Sequence, residues 1–274
     1  MKTLFILFLF ANLLYAKINA IVSIIPQKTF LQKIAGEKID ITVMVTQSNS
    51  PHTYSPKPSQ MVNISKANIY FTIGVEFEKK WLDKFKSINS SMKIVDISKN
   101  IKKLHISKNE HHHEHETLDP HIWTSPKNVK IIAKNIYQEL ILLDNKNKYY
   151  YKKNYESFLQ EIEETNTRLI KILDTKTKNS FIVFHPSWQY FANDYNLTQI
   201  AIQIDGKNAK AKHIISLLKD AKQLNINKIF SSPTFSNKMA IQIAKQLNIE
   251  LKTLNALDED WSNNLINFAK SIKE

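Results

Sequence analysis

Residues 18–45, INAIVSIIPQKTFLQKIAGEKIDITVMV, hold the alternation on which the fold turns. Residues 21–25 are an apolar run of strand length, residues 30–35 change to helical spacing, Gly36 supplies a turn, and residues 39–45 form a second strand-like run. This is a β-α-β opening. Strands joined through a helix run parallel, and uninterrupted apolar strands imply a sheet covered on both faces.

Outward from this unit the pattern continues. The spacing predicts a helix over 58–66, a strand over 69–73 closed by Gly74, a helix through 81–85 and a strand over 93–97. Residues 102–117 interrupt it with Lys, Glu and the histidines His105, His111, His112, His113 and His115, without any apolar period. Pro126 opens a helix reaching about residue 143. A second helix over 146–173 carries Phe158, Ile162, Leu169 and Leu173 at helical spacing, and at 1.5 Å per residue it is roughly 40 Å long. From residue 180 the series restarts, with strands over 180–184, 198–203, 228–231 and 250–254 and helices over 188–195, 214–224, 238–247 and 261–272.

The expected fold is therefore α/β: two Rossmann-like lobes with parallel sheets, joined by one long rigid helix, with a metal site in the interlobe cleft. The expected segments are a signal peptide at 1–16, an N-terminal lobe at 17–145 carrying a histidine-rich loop at 105–116, a linking helix at 146–176 and a C-terminal lobe at 177–274.

Composition narrows the function. Only 3 glycines occur in 274 residues, which leaves almost nothing from which to build a dinucleotide fingerprint or a P-loop. The formal charge of +13 could attract nucleic acid, but the lysines are spread through the chain and form no basic stripe with interleaved aromatics. No nucleic-acid partner is expected. The N-terminus reads Met1-Lys2 and then an apolar run from Leu4 to Ala16 broken by Asn12, too short to span a bilayer and suited to a cleaved signal peptide. The chain contains no cysteine, hence no disulfide and no lipid-modified anchor. An exported, unanchored protein is retained only behind an outer boundary, so the periplasm is the expected location.

Three histidines share a local setting. His52 lies in Ser50-Pro51-His52-Thr53-Tyr54, His121 in Asp119-Pro120-His121-Ile122-Trp123, and His185 in Phe184-His185-Pro186-Ser187-Trp188. Each neighbours a proline and is expected near a strand end or in the loop after it, where open parallel sheets gather ligand groups. Neutral imidazole suits zinc, and stiff proline-bordered backbone lowers the cost of holding it. Any one of them alone reads as a hydrogen-bonded loop residue; jointly they read as a metal site. They lie 69 and 64 residues apart, so no local zinc motif is involved. The tract Glu110-His111-His112-His113-Glu114-His115-Glu116 is itself a metal-binding composition that would hold cations weakly.

Four blocks complete the reading: Pro51-His52-Thr53-Tyr54-Ser55-Pro56-Lys57-Pro58, Ala67-Asn68-Ile69-Tyr70-Phe71-Thr72-Ile73-Gly74, Asp119-Pro120-His121-Ile122-Trp123-Thr124-Ser125-Pro126 and His185-Pro186-Ser187-Trp188-Gln189-Tyr190-Phe191-Ala192. Through them the chain resembles the metal-binding components of bacterial ABC uptake systems for zinc and manganese, most closely the periplasmic zinc-binding type. The resemblance covers nearly everything after the leader. It implies that His52, His121 and His185 are the metal ligands, that the fold is two α/β lobes on a rigid helix with small closure motions, and that the partner is a membrane permease. Manganese members usually carry a carboxylate at the third position, where this chain has His185. It departs from the family at Leu254-Asn255-Ala256-Leu257, where Asn255 stands at the place of an expected carboxylate ligand. Water, Asn255, Asp258 or a loop residue could complete the shell.

The expected function is capture of zinc (Zn2+) in the periplasm and delivery to an ABC permease by a monomer that is not an enzyme. Manganese or iron as cargo, a secreted zinc hydrolase, and an adhesin or passive metal buffer are the alternatives. No glutamate stands one residue from a ligand histidine to serve as a hydrolytic base.

Overall fold

The computed structural model describes residues 17–106, 118–174, 179–203, 211–235 and 238–273. The expected signal peptide at 1–16 and His111, His112, His113 and His115 lie outside the described residues.

The first sheet holds β1 (Ile18–Ile24), β2 (Ile39–Val45), β3 (Ile69–Thr72) and β4 (Lys93–Asp96) in the order β2-β1-β3-β4, parallel throughout. Helices α1 (Ile25–Ala35), α2 (Pro58–Lys66) and α3 (Glu76–Ile88) make the crossovers. β1 is central: Val22 stands opposite both Val43 and Phe71.

The structure corrects the opening unit at residue 25. Ile25 starts α1 instead of ending the strand, because Pro26 is preorganised for a first helical turn. Gln27 then supplies an acceptor for the Ser23 and Ile24 amides at 2.9 and 3.0 Å, and its own Nε2 donates to the Phe71 carbonyl at 2.8 Å. Gly36 ends α1 at φ +56°, and a Cβ there would meet the Tyr150 hydroxyl at 2.0 Å. Only glycine fits the position.

Helix α4 (Pro126–Leu143) runs as the sequence predicts, capped by Ser125 accepting from the Asn128 amide at 3.1 Å. A short turn, Asn145–Asn147, precedes α5 (Lys148–Asp174), whose 27 residues extend about 40 Å. Phe158, Ile162, Leu169 and Leu173 are buried, as their spacing predicted.

The second sheet repeats the first, with β5 (Ser180–Val183), β6 (Thr198–Ala201), β7 (Lys228–Ser231) and β8 (Glu250–Thr253) in the order β6-β5-β7-β8, again all parallel. Around it lie α6 (Gln189–Asp194), α7 (Ala211–Gln223), α8 (Lys238–Leu247) and α9 (Trp261–Lys273). Alternation along β5 divides the packing. Phe181 and Val183 join a core continuous with the first lobe through α5 and α9, while Ile182 faces a separate core with Ile229 and Ile243. The two lobes thus share one apolar body.

The seam between them is pinned by indoles. Trp123 Nε1 donates to the Ala256 carbonyl and Trp261 Nε1 to the Trp123 carbonyl, both at 2.7 Å. Removing a buried tryptophan of this kind costs about 3–5 kcal/mol. A hinge opening of the lobes would have to break this packing.

Candidate metal centre

His52 sits in a tight turn of the loop between β2 and α2. The Ser50 carbonyl accepts from the Thr53 and Tyr54 amides at 3.2 and 3.1 Å, and the His52 amide donates to Ser50 Oγ at 3.3 Å. His185 follows β5 by two residues, and its carbonyl accepts from the Ser187 amide at 2.8 Å. His121 lies after β4 and ahead of α4. It follows an isolated bridge between His105 and Leu118 and leads into the one-turn helix Ile122–Thr124 ahead of α4. Asp119, two residues earlier, binds both its amide (2.9 Å) and its ring (2.6 Å), so the Asp-Pro-His segment folds on itself.

The structure brings the three together. Each ring offers one nitrogen, and these lie within 4.8 Å of one another. Ring centroids are 4.8 Å apart for His52 and His185, 5.3 Å for His121 and His185, and 5.8 Å for His52 and His121.

The opposite side of each ring is held by an oxygen. His52 Nδ1 meets Glu76 Oε2 at 2.9 Å, His121 Nδ1 meets Asp119 Oδ1 at 2.6 Å, and His185 Nδ1 meets Gln203 Oε1 at 2.8 Å. Carboxylate and amide oxygens accept, so each Nδ1 carries the proton and donates, and each Nε2 keeps its lone pair. Yet His52 Nε2 and His185 Nε2 face one another at 3.1 Å. Two acceptors at that separation repel unless a cation lies between them. Tetrahedral zinc with bonds near 2.0–2.1 Å places ligand nitrogens roughly 3.3 Å apart, so the spacing suits the ion.

Electrostatics agrees. Burial holds the His185 ring well below the usual histidine range, reinforced by His121 and His52, so it stays neutral and able to ligate. The hydrogen bond from His52 holds the Glu76 carboxyl below its usual range and thus ionised. Asp119 is fully buried, and its Oδ2 finds no hydrogen-bond partner among the described residues. A buried oxygen left unpaired is costly, and a cation on the far side of His121 would offset that cost.

The ring nitrogens border a cavity of about 30 Å³ walled by Val75, Trp123, Phe235 and Leu257, with Ser232, Thr234 and Asn255 at its edge. Asn255 lines it, but its Oδ1 accepts from the Leu257 amide at 3.0 Å. Asp258 turns away to accept from the Asp260 amide at 2.9 Å. Space of this size holds an ion and about one water.

Sequence reading singled out the three rings that the structure brings together and missed what orients them. Asp119 left a signal, since an Asp two residues ahead of His121 can close a turn on it. Glu76 and Gln203 left none: they stand 24 and 18 residues from their partners. Phe235, stacked on His185 at 4.5 Å and 24°, was equally unmarked.

The described helices include none long and apolar enough to cross a membrane. The family model for the periplasmic component A of zinc-uptake complexes matches residues 21–274. A crystal structure of ZnuA superposes with a TM-score of 0.88 at 40% identity, covering 94% of this chain and 98% of that one. A zinc-bound deletion mutant of ZnuA superposes equally, with a TM-score of 0.88 at 40% identity, covering 94% and 97%. The high-affinity zinc uptake system protein ZnuA of Bacillus subtilis (strain 168) is 27% identical over 253 residues, covering 88% of this chain and 79% of the relative. The chain belongs to the family of periplasmic component A of zinc-uptake complexes, the zinc-binding solute-binding proteins of ABC transporters.

Proposed function

We propose that His52, His121 and His185 together bind one zinc ion through their Nε2 atoms, and that this chain captures the ion in the periplasm and passes it to its ABC permease. The observation that carries the reading is the pair of Nε2 lone pairs facing at 3.1 Å with their Nδ1 atoms committed elsewhere. The neutral rings displace water from the ion. Glu76 and Asp119, hydrogen-bonded to the far side of two rings, spread part of its charge outward. One water fits as the fourth ligand, because Asn255 and Asp258 are engaged with backbone amides.

Binding and release, not covalent chemistry, is the reading the site supports. Among the described residues the carboxylates beside the rings, Glu76 and Asp119, are engaged with Nδ1 atoms, on the side of each ring away from the converging nitrogens. With the lobes fused by a shared core, release is assigned to local movement of the ligand loops. The mature chain is proposed to begin after residue 16 and to act as a monomer.

Zinc titration of His52→Ala, His121→Ala and His185→Ala variants tests the ligand set: each should lose the tight site, and wild-type affinity in any of them would remove that residue. Competition between zinc and manganese on the wild-type chain tests the cargo, with a manganese preference refuting it. Mass measurement and sedimentation of protein recovered from the periplasm test the leader and the monomer.

A further inference from the structure

The geometry points to Phe235 as the residue that keeps the site four-coordinate and so selects zinc against manganese, an inference that rests on the zinc reading above. Phe235 closes the turn after β7. Ser232 Oγ and Thr234 Oγ1 bond each other at 2.8 Å, Ser232 Oγ accepts from the Thr234 amide at 3.3 Å, and the Phe235 amide donates to the Ser232 carbonyl at 3.4 Å. The ring rests on the core of the second lobe, 6.3 Å from the Phe184 ring, and lies over the metal centre, 4.5 Å from the His185 ring and 6.3 Å from that of His52.

Volume decides what this placement does. Manganese takes an octahedral shell rich in oxygen, so beside three imidazoles it needs three further oxygen ligands. Each water requires about 10–15 Å³ of cavity, and the cavity here is about 30 Å³. An ion with one water fits; an ion with three does not. Among the described residues, the side-chain oxygens at the cavity edge are already engaged, since Ser232 and Thr234 are bonded to each other and Asn255 Oδ1 holds the Leu257 amide. Of the walls, Trp123 is locked by the lobe seam and Val75 and Leu257 belong to the shared core. Phe235 is the large apolar wall that is partly exposed, beside the smaller Pro51 and Ala256, and removing its ring opens the widest path for solvent.

The test uses the purified full chain with Phe235→Ala and Phe235→Leu variants, zinc against manganese competition, and cobalt(II) as a spectroscopic probe of coordination number. Phe235→Ala should lower the zinc-over-manganese preference by about tenfold or more, the scale on which groups around the first shell act, and weaken the intense visible bands of tetrahedral cobalt. Phe235→Leu, which keeps apolar bulk without the flat ring, should retain both. An alanine variant with wild-type preference and wild-type cobalt bands overturns the proposal. So does an equal loss of affinity for both ions with the bands intact, which would make the ring a support for His185 only. Loss of preference in the leucine variant as large as in the alanine variant overturns the volume argument. If the wild-type chain itself fails to prefer zinc, the zinc reading falls, and the two failures are thereby distinguished. Metal-free melting of both variants confirms that each result comes from folded protein.

Discussion

The two lobes have the same strand order and use its crevice in opposite ways. In an open parallel sheet the switch point lies where successive connections leave in opposite directions, and ligands gather at the carboxyl ends of the strands there. In the first lobe that point is between β1 and β3, and the chain fills it with its own carboxyl group. Glu78 of α3 accepts from the Ile73 amide at 2.9 and 3.1 Å, from the Gly74 amide at 2.7 Å, and from Ser23 Oγ, which also bonds the Tyr70 hydroxyl. In the second lobe the point is between β5 and β7, and there His185 and the Phe235 turn face the cleft instead. Identical topology offers two crevices; side chains plug one and leave a cavity at the other.

The largest way to break this contrast is at the open crevice. His185→Ala should lower zinc affinity by at least about a hundredfold, more than loss of an orienting partner would cause; calorimetric titration reads it. Next comes the plugged crevice. Burial raises the Glu78 carboxyl from 4.5 to about 7, so the folded state holds this proton more tightly than the unfolded chain. The resulting stability is fully present below about pH 4.5, declines as pH rises and is lost above about pH 7, a span of roughly 3 kcal/mol. Denaturant midpoints of wild type and Glu78→Gln across that window measure it, and the variant should lack this component.

Orienting groups rank below ligands. Asp119→Asn should weaken zinc about 10–100-fold, and Glu76→Gln should fall at the lower end of that range, because Glu76 is half exposed whereas Asp119 is buried. Equal effects would show that burial does not set the strength of these partners. The proton dependence of binding sharpens the contrast further. Burial disfavours the charged form of the His185 ring, so zinc binding in mild acid should release fewer than three protons per ion, read by calorimetry in buffers of different ionisation enthalpy. The smallest effect belongs to the solvent-facing bridge between the lobes, Lys28 to Glu259 at 3.1 Å. Glu259→Gln should alter unfolding free energy by less than about 1 kcal/mol, since exposed ion pairs contribute little.

Much of the architecture was legible because burial is written into periodicity. The strand runs at 39–45 and 228–231 and the helices at 58–66, 126–143 and 238–247 coincide with β2, β7, α2, α4 and α8. The misreading at Ile25 shows the limit: a branched apolar residue favours a strand by itself, but Pro26 and the Gln27 side chain, reaching across to Phe71, start the helix there. His121 shows another, since the turn that Asp119 closes on it is not written in strand or helix periodicity.

The sequence by itself determined the repeated strand and helix alternation, the long linking helix and which three imidazoles stand as candidate ligands for a borderline cation. These follow from local properties: side-chain periodicity, proline-bordered turns and donor chemistry. The convergence of Nε2 atoms, the oxygen behind each ring, the filling of one switch point by Glu78 and the volume left under Phe235 were decided only by the tertiary structure. Each joins residues far apart in the chain, and a distance between segments is not a property of either segment alone.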